Sequence, residues 1–141
     1  MKNIGFIGIG LMGFPMAKNL LKSGFNLKAF NRSLDKADRL KEFGAEISVS
    51  IKDVVTNSNV VITMLTDDAA VEKVMSSNEF ISNIKEGATV IDMSSVNPII
   101  TKKHSKILKE KNINYLDAPV SGGTIGAEEA TLAIMVGGDE K

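Results

Sequence analysis

The sequence predicts an α/β fold, a doubly wound and mostly parallel sheet with helices on both faces. Three observations lead there. Short β-branched apolar runs alternate with longer amphipathic ones along the chain, the rhythm of right-handed βαβ crossovers. No solenoid-type repeat, low-complexity tract or Pro/Ser linker divides the 141 residues. A chain of this length buries roughly 68% of its unfolded surface, enough for one core without metal or disulfide.

Ile4 to Ile9 reads as a buried strand. Leu11 to Ser23 follows as a helix, with apolar Met12, Met16, Ala17, Leu20 and Leu21 at helical spacing and Gly24 closing it. Asn26 to Asn31 is the second strand and Leu34 to Phe43 the second helix, stopped by Gly44. A short strand over Glu46 to Val49 precedes Ser50 and Asp53, which resemble a capping box opening a brief helix to about Asn57. Val60 to Met64 is the most strand-like run, four β-branched residues and then Met. Asp68 to Met75 reads as helix, Thr89 to Asp92 as strand, and Pro98 to Glu110 as a helix with proline near its start. Tyr115 to Ala118 and Leu132 to Val136 complete the strands, and Gly122, Gly123 and Gly126 mark a long irregular loop between them.

Composition narrows the function classes. With 17 basic and 17 acidic side chains there is no electrostatic footprint for nucleic acid or an acidic membrane. The absence of Cys excludes a disulfide framework and a thiolate zinc site, and a single His cannot build a His-based metal site. Lys2 followed by the apolar Ile4 to Ala17 has the outline of a secretory signal, yet four glycines and Pro15 interrupt it and Lys18 and Asn19 continue a helix. The expectation is a globular cytoplasmic domain with neither nucleic-acid nor membrane partner.

The strongest chemical signal is Gly8, Gly10 and Gly13, a GxGxxG at the first strand-to-helix turn. Gly8 permits the tight turn, Gly10 lets backbone approach a pyrophosphate, and Gly13 lets the helix pack close to the sheet. The pyrophosphate would rest against unpaired N–H groups at a helix N-terminus, where the macrodipole favours negative charge. Glycines at strand ends also serve as plain turn residues, but this motif follows a strand and opens a helix, as a dinucleotide site requires. No P-loop motif occurs. At the end of the second strand stand Asn31, Arg32 and Ser33, where an acidic residue would bind a ribose 2′-hydroxyl. Arg32 can instead grip a 2′-phosphate bidentately, with Ser33 adding a hydroxyl, so the expected cofactor is NADP, with NAD possible. The alternatives are a solvated Arg32 and a Ser33 that only caps the next helix.

Phe6 to Gly24, reading FIGIGLMGFPMAKNLLKSG, resembles the opening of the β-hydroxyacid dehydrogenases. This is the family of 3-hydroxyisobutyrate dehydrogenase and tartronate semialdehyde reductase, related to 6-phosphogluconate dehydrogenase. Further similar segments are Asn31-Arg32-Ser33, Val61 to Leu65, Val90 to Ser95, Asp117 to Gly123, and Gly126-Ala127 through Leu132 to Gly138. The resemblance implies a Rossmann-type domain over residues 1–141, with Ile9, Leu11 and Met12 in the phosphate turn. It also implies that Met64 and Leu65 lie over the adenosine side of the cofactor and Ser95 near the nicotinamide. Ser121, Gly122 and Gly123 match the substrate-binding segment, where a hydroxyl and bare backbone amides can hold a carboxylate. By themselves these residues read equally as core, helix cap and turn formers.

The resemblance further implies hydride transfer between a nicotinamide cofactor and a short β-hydroxyacid or its semialdehyde, and a homo-oligomer at full length. The family's catalytic Lys lies in a Gly-x-x-x-Asn-x-x-Lys motif on a second, helical domain. Neither occurs among these residues, so no catalytic residue is assigned within the chain. A non-catalytic dinucleotide-binding module or a gene fragment is the alternative. Ala130 departs from the glycine common in the family before Thr-Leu, and His104, beside Lys102, Lys103 and Lys106, is expected on a solvated helix face.

Overall fold

The computed structural model describes residues 2–140. The strands are β1 (Asn3–Ile7), β2 (Asn26–Phe30), β3 (Glu46–Ile47), β4 (Val60–Thr63), β5 (Thr89–Asp92), β6 (Asn114–Asp117), β7 (Val120–Ser121), β8 (Ala133–Ile134) and β9 (Gly137–Gly138). The α-helices are α1 (Gly13–Lys22), α2 (Leu34–Asp38), α3 (Ile51–Thr56), α4 (Asp68–Met75), α5 (Asn78–Ile81), α6 (Pro98–Lys109) and α7 (Gly123–Glu129). The main sheet runs β3-β2-β1-β4-β5-β6-β9, parallel except for β9, which pairs antiparallel with β6. β7 and β8 form a separate antiparallel pair.

The sheet is covered twice because its strands are apolar on both sides. On β1, Phe6 joins one core cluster and Ile7 the other, and on β4 Ile62 and Val61 divide in the same way. One cluster packs under α1, α2 and α7 through Met16, Ala17, Ala37 and Ala127. The other packs under α3 to α6 through Val54, Val71, Phe80 and Leu108. Continuous apolar strands of this kind mark a parallel sheet buried on both faces.

Caps fix several helix starts. Ser50 Oγ accepts the Asp53 amide at 3.1 Å, Asp67 accepts the Ala70 amide at 2.8 Å, and Asn97 accepts the Ile99 amide at 2.9 Å with Pro98 beginning α6. The Asp53 carboxylate does not complete a capping box; it turns to Lys28 and Ser48.

The structure differs from the sequence expectation in four places. The second helix stops at Asp38 and tightens into a 3-10 turn over Lys41–Phe43. The glycine-rich segment expected as a loop contains β7 and α7, and a short α5 lies between Asn78 and Ile81. The strand expected over Leu132 to Val136 is reduced to Ala133–Ile134 and pairs with β7, while Gly137–Gly138 supplies the seventh strand of the main sheet.

Candidate functional site

The strand order reverses between β1 and β4, and there the glycine turn leaves the sheet. The Gly8 amide donates to the Phe30 carbonyl of β2 at 3.0 Å, while the Met64 amide donates to the Ile7 carbonyl at 2.9 Å. Gly8, with φ +102°, fits no side chain: a Cβ would strike the Met64 carbonyl, with Leu65 Cδ2 3.0 Å away. A Cβ on Gly13 would strike the Gly8 carbonyl, so the second glycine of that pair brings α1 against the turn. Gly10 differs, because a Cβ there would meet nothing within 4 Å. The turn is therefore built with open space over Gly10, beside the start of a ten-residue helix that has no side-chain cap and no acidic residue in its first turn. An anion fits such a place, since among the described residues no side chain caps that end of the dipole and no acidic residue stands in its first turn.

The flanking residues converge on this turn. Asn31 Oδ1 accepts the Ile9 amide at 2.9 Å and Asn31 Nδ2 donates to the Ser33 carbonyl at 2.9 Å, tying the end of β2 to the glycine turn. Ile9 turns its side chain into the core, whereas Leu11 is 84% exposed at the mouth and Met12 is half-buried. Arg32 and Ser33 are exposed, and Ser33 stands at the start of α2 without capping it, so its hydroxyl is free for another acceptor. Ser95 is exposed past β5; Asn97, not Ser95, caps α6.

A cleft of about 470 Å³ opens from Gly10 and Leu11 along the outer face of α1, with Phe14, Lys18, Lys36 and Arg39 on its walls. Lys36 and Arg39 place two further cations beyond Arg32, and the Arg39 guanidinium lies 4.3 Å over the Phe14 ring. Sequence reasoning missed both; the signal was the helical spacing that follows Ser33.

Ser121, Gly122 and Gly123 lie past the carboxyl end of β6, exposed, in β7 and the start of α7. The helix that follows them, α7, is held to α1, whose Asn19 Nδ2 donates to the Ala127 carbonyl at 2.7 Å. Ala130 ends α7 with φ +57°, the left-handed conformation for which glycine is the ordinary residue.

Beneath the site lies a polar group that sequence reasoning did not single out. Asp92 is fully buried at the end of β5. Its Oδ1 accepts from Thr63 Oγ1 at 2.9 Å and from the Ser94 amide at 3.1 Å, and Ser94 Oγ accepts the Leu65 amide at 2.8 Å. Burial is the dominant influence and raises the Asp92 carboxyl above its ordinary range, against the lowering effect of the Ser94 and Thr63 hydrogen bonds. His104, expected to be solvated, is 2% exposed: it lies four residues before buried Leu108 and faces the sheet, while Lys102, Lys103 and Lys106 keep the wet side. Burial lowers its pKa.

A sheet of order 3-2-1-4-5-6 with a glycine turn and an uncapped helix at its switch point defines a dinucleotide-binding α/β domain. The family profile of the NAD binding domain of 6-phosphogluconate dehydrogenase matches residues 3–141, and the chain belongs to that family. It is 44% identical over 138 residues to 2-hydroxy-3-oxopropionate reductase of Escherichia coli, covering 97% of this chain and 47% of the relative. The structure of Mycobacterium tuberculosis 3-hydroxyisobutyrate dehydrogenase with L-serine superposes with TM-score 0.94 at 34% identity, over 99% of this chain and 47% of that one. The structure of Psf3 in complex with NADP+ and 2-OPP superposes with TM-score 0.92 at 28% identity, over 96% and 49% of the two chains. The chain spans about half the length of the relatives it matches. Among the described residues no helix is long and apolar enough to cross a membrane.

Proposed function

We propose that this chain is the cofactor half of a cytoplasmic oxidoreductase that prefers NADP(H) and interconverts a short β-hydroxyacid with its semialdehyde. The observation that carries it is the space over Gly10 at the uncapped start of α1, with Arg32 and the free Ser33 hydroxyl at the adjoining strand end. In this reading the amides from Gly10 to Gly13 hold the pyrophosphate, while Gly8 and Ile9, whose own amides go to Phe30 and Asn31, shape the turn beneath it. Arg32 and Ser33 hold a 2′-phosphate, Met64 and Leu65 cover the adenosine side, and Ser95 orients the nicotinamide end. Bound nicotinamide supplies the hydride acceptor or donor. Ser121 offers a hydroxyl, and Gly122 and Gly123 offer amides without side chains, to a substrate carboxylate. The proton on the substrate oxygen is handled by the Lys of the family's Gly-x-x-x-Asn-x-x-Lys motif, on a helical domain that completes the cleft of a homo-oligomeric full-length protein, since among the described residues no general acid/base stands at the site.

The test is calorimetric titration of the chain with NADPH and NADH, followed by turnover of short semialdehydes monitored by NADPH absorbance. The chain should bind without useful turnover, and a longer form carrying the Gly-x-x-x-Asn-x-x-Lys motif should turn over. Substantial turnover by the chain alone would put the general acid/base inside it; no binding at all would sink the cofactor assignment.

A further inference from the structure

The region behind the cofactor turn holds more unpaired polar atoms than a core ordinarily tolerates. Asp92 Oδ2, both ring nitrogens of His104, the Tyr115 hydroxyl and the Thr101 hydroxyl are all buried without a hydrogen-bond partner among the described residues. They belong to one neighbourhood. Asp92 and His104 perturb each other's charge, Asp92 disfavours ionisation of Tyr115, and Thr101 lies beside the Tyr115 hydroxyl without hydrogen-bond geometry. Asp117 on β6 also feels the Asp92 charge, and His104 also feels Glu72 of α4 and Lys103 of its own helix.

We propose that Asp92 is a positioning residue for dinucleotide binding, acting through Ser94 on the Leu65 backbone, and that a proton taken up at Asp92 weakens this hold. The connection is a chain of contacts. Asp92 Oδ1 fixes the Ser94 amide, Ser94 Oγ fixes the Leu65 amide, and Met64 and Leu65 form the wall against Gly8 of the phosphate turn. A carboxylate accepts the Thr63 and Ser94 hydrogen bonds more strongly than a neutral carboxyl does. The buried Oδ2, without a hydrogen-bond partner among the described residues, is the atom at which the proton is received. The inference rests on the cofactor assignment above.

The experiment measures affinity for NAD+ between about pH 5 and pH 8, where His and perturbed carboxyls titrate. NAD+ is the probe because the 2′-phosphate of NADP+ itself titrates near pH 6, roughly as other phosphomonoesters do. The unmodified chain should bind less tightly as pH falls. Asp92→Asn, isosteric and without a titrating carboxyl, should bind about threefold to tenfold more weakly at pH 8 and lose the pH dependence, in keeping with one lost charge-assisted hydrogen bond. Ser94→Ala, which removes the hydroxyl that links Asp92 to the Leu65 amide, should weaken binding and lose the pH dependence with it, and it carries the test if Asp92→Asn does not fold. Parental affinity in either folded variant, or an unmodified chain whose affinity is flat with pH, overturns the proposal. Absence of NAD+ and NADP+ binding in the unmodified chain at every pH would instead overturn the cofactor assignment.

Discussion

Asn31 Oδ1 accepts the backbone amide of Ile9 at 2.9 Å, so the side chain just past β2 fixes the turn that leaves β1. Its Nδ2 is spent on the Ser33 carbonyl, which holds the start of α2 to the same residue. Asn31→Ala leaves the half-buried Ile9 amide region without this acceptor, and should cost about 1 kcal/mol of stability together with a loss of dinucleotide affinity. Chemical denaturation and cofactor titration on the same sample check both; unchanged values would show that water replaces the amide without cost.

Gly10 and Gly13 separate folding from binding. Gly13→Ala drives a methyl group into the Gly8 carbonyl and should destabilise the fold by about 1–3 kcal/mol or more. The Cβ of Gly10→Val meets no atom within 4 Å, so its circular dichroism and thermal midpoint should stay near those of the parent while dinucleotide affinity is lost. Gly10→Val that binds normally would remove the open space from the cofactor assignment.

Arg32→Ala should reduce the preference for NADPH over NADH by about tenfold to a hundredfold, the worth of a charged bidentate contact of roughly 1.5–3 kcal/mol. Calorimetry with both cofactors measures it. Equal affinities in the unmodified chain would refute the preference at once.

Burial lowers the His104 pKa, so the unfolded chain binds the proton more readily. Stability therefore falls as pH drops through the unfolded His value of about 6.5. Asp92, raised by burial, acts in the opposite sense, losing stability as pH rises above the ordinary carboxylate value. The windows differ, and His104→Phe should flatten the thermal midpoint between about pH 7 and pH 5. A midpoint with the same slope in parent and variant would mean that His104 charges freely in the fold.

Ala130 sits in the left-handed region with φ +57° at the end of α7. Ala130→Gly should raise stability by about 0.5–1 kcal/mol, since relief of the Cβ clash outweighs the added freedom of the unfolded glycine. A lowered thermal midpoint would reverse that balance.

The central strands were legible because β-branched runs such as Val60 to Thr63 have few other uses, and the glycine turn was legible because Gly8 and Gly13 each make a close approach that excludes a side chain, with Gly10 between them. α7 was not: its Gly123, Thr124 and Gly126 have poor helix propensity, and the helix is held by tertiary partners such as Asn19. β9 consists of two glycines whose strand character exists only through pairing with Leu116 and Asp117. The burial of His104 was readable in its four-residue spacing from Leu108, but the neighbouring lysines drew attention to the wrong face of the helix. Asp92 and Ser94 gave no local signal, because their importance lies in Thr63 and Leu65, which are 29 residues away from them.

β1 is central in the sheet yet first in the chain. Asn3 lies opposite Asn26, and Ile4 opposite Val60, so its two edges find partners at very different distances along the sequence. On a translating ribosome the β2 edge can close soon after Phe30 emerges, while the β4 edge stays bare until Val60–Thr63 follow. At about 5–20 residues per second, the thirty or so residues between them take a few seconds to make. During that interval Ile4, Phe6 and Ile7 present an unpaired apolar edge, and the nascent domain depends on its own α1 and α2, or on a chaperone, to shield it.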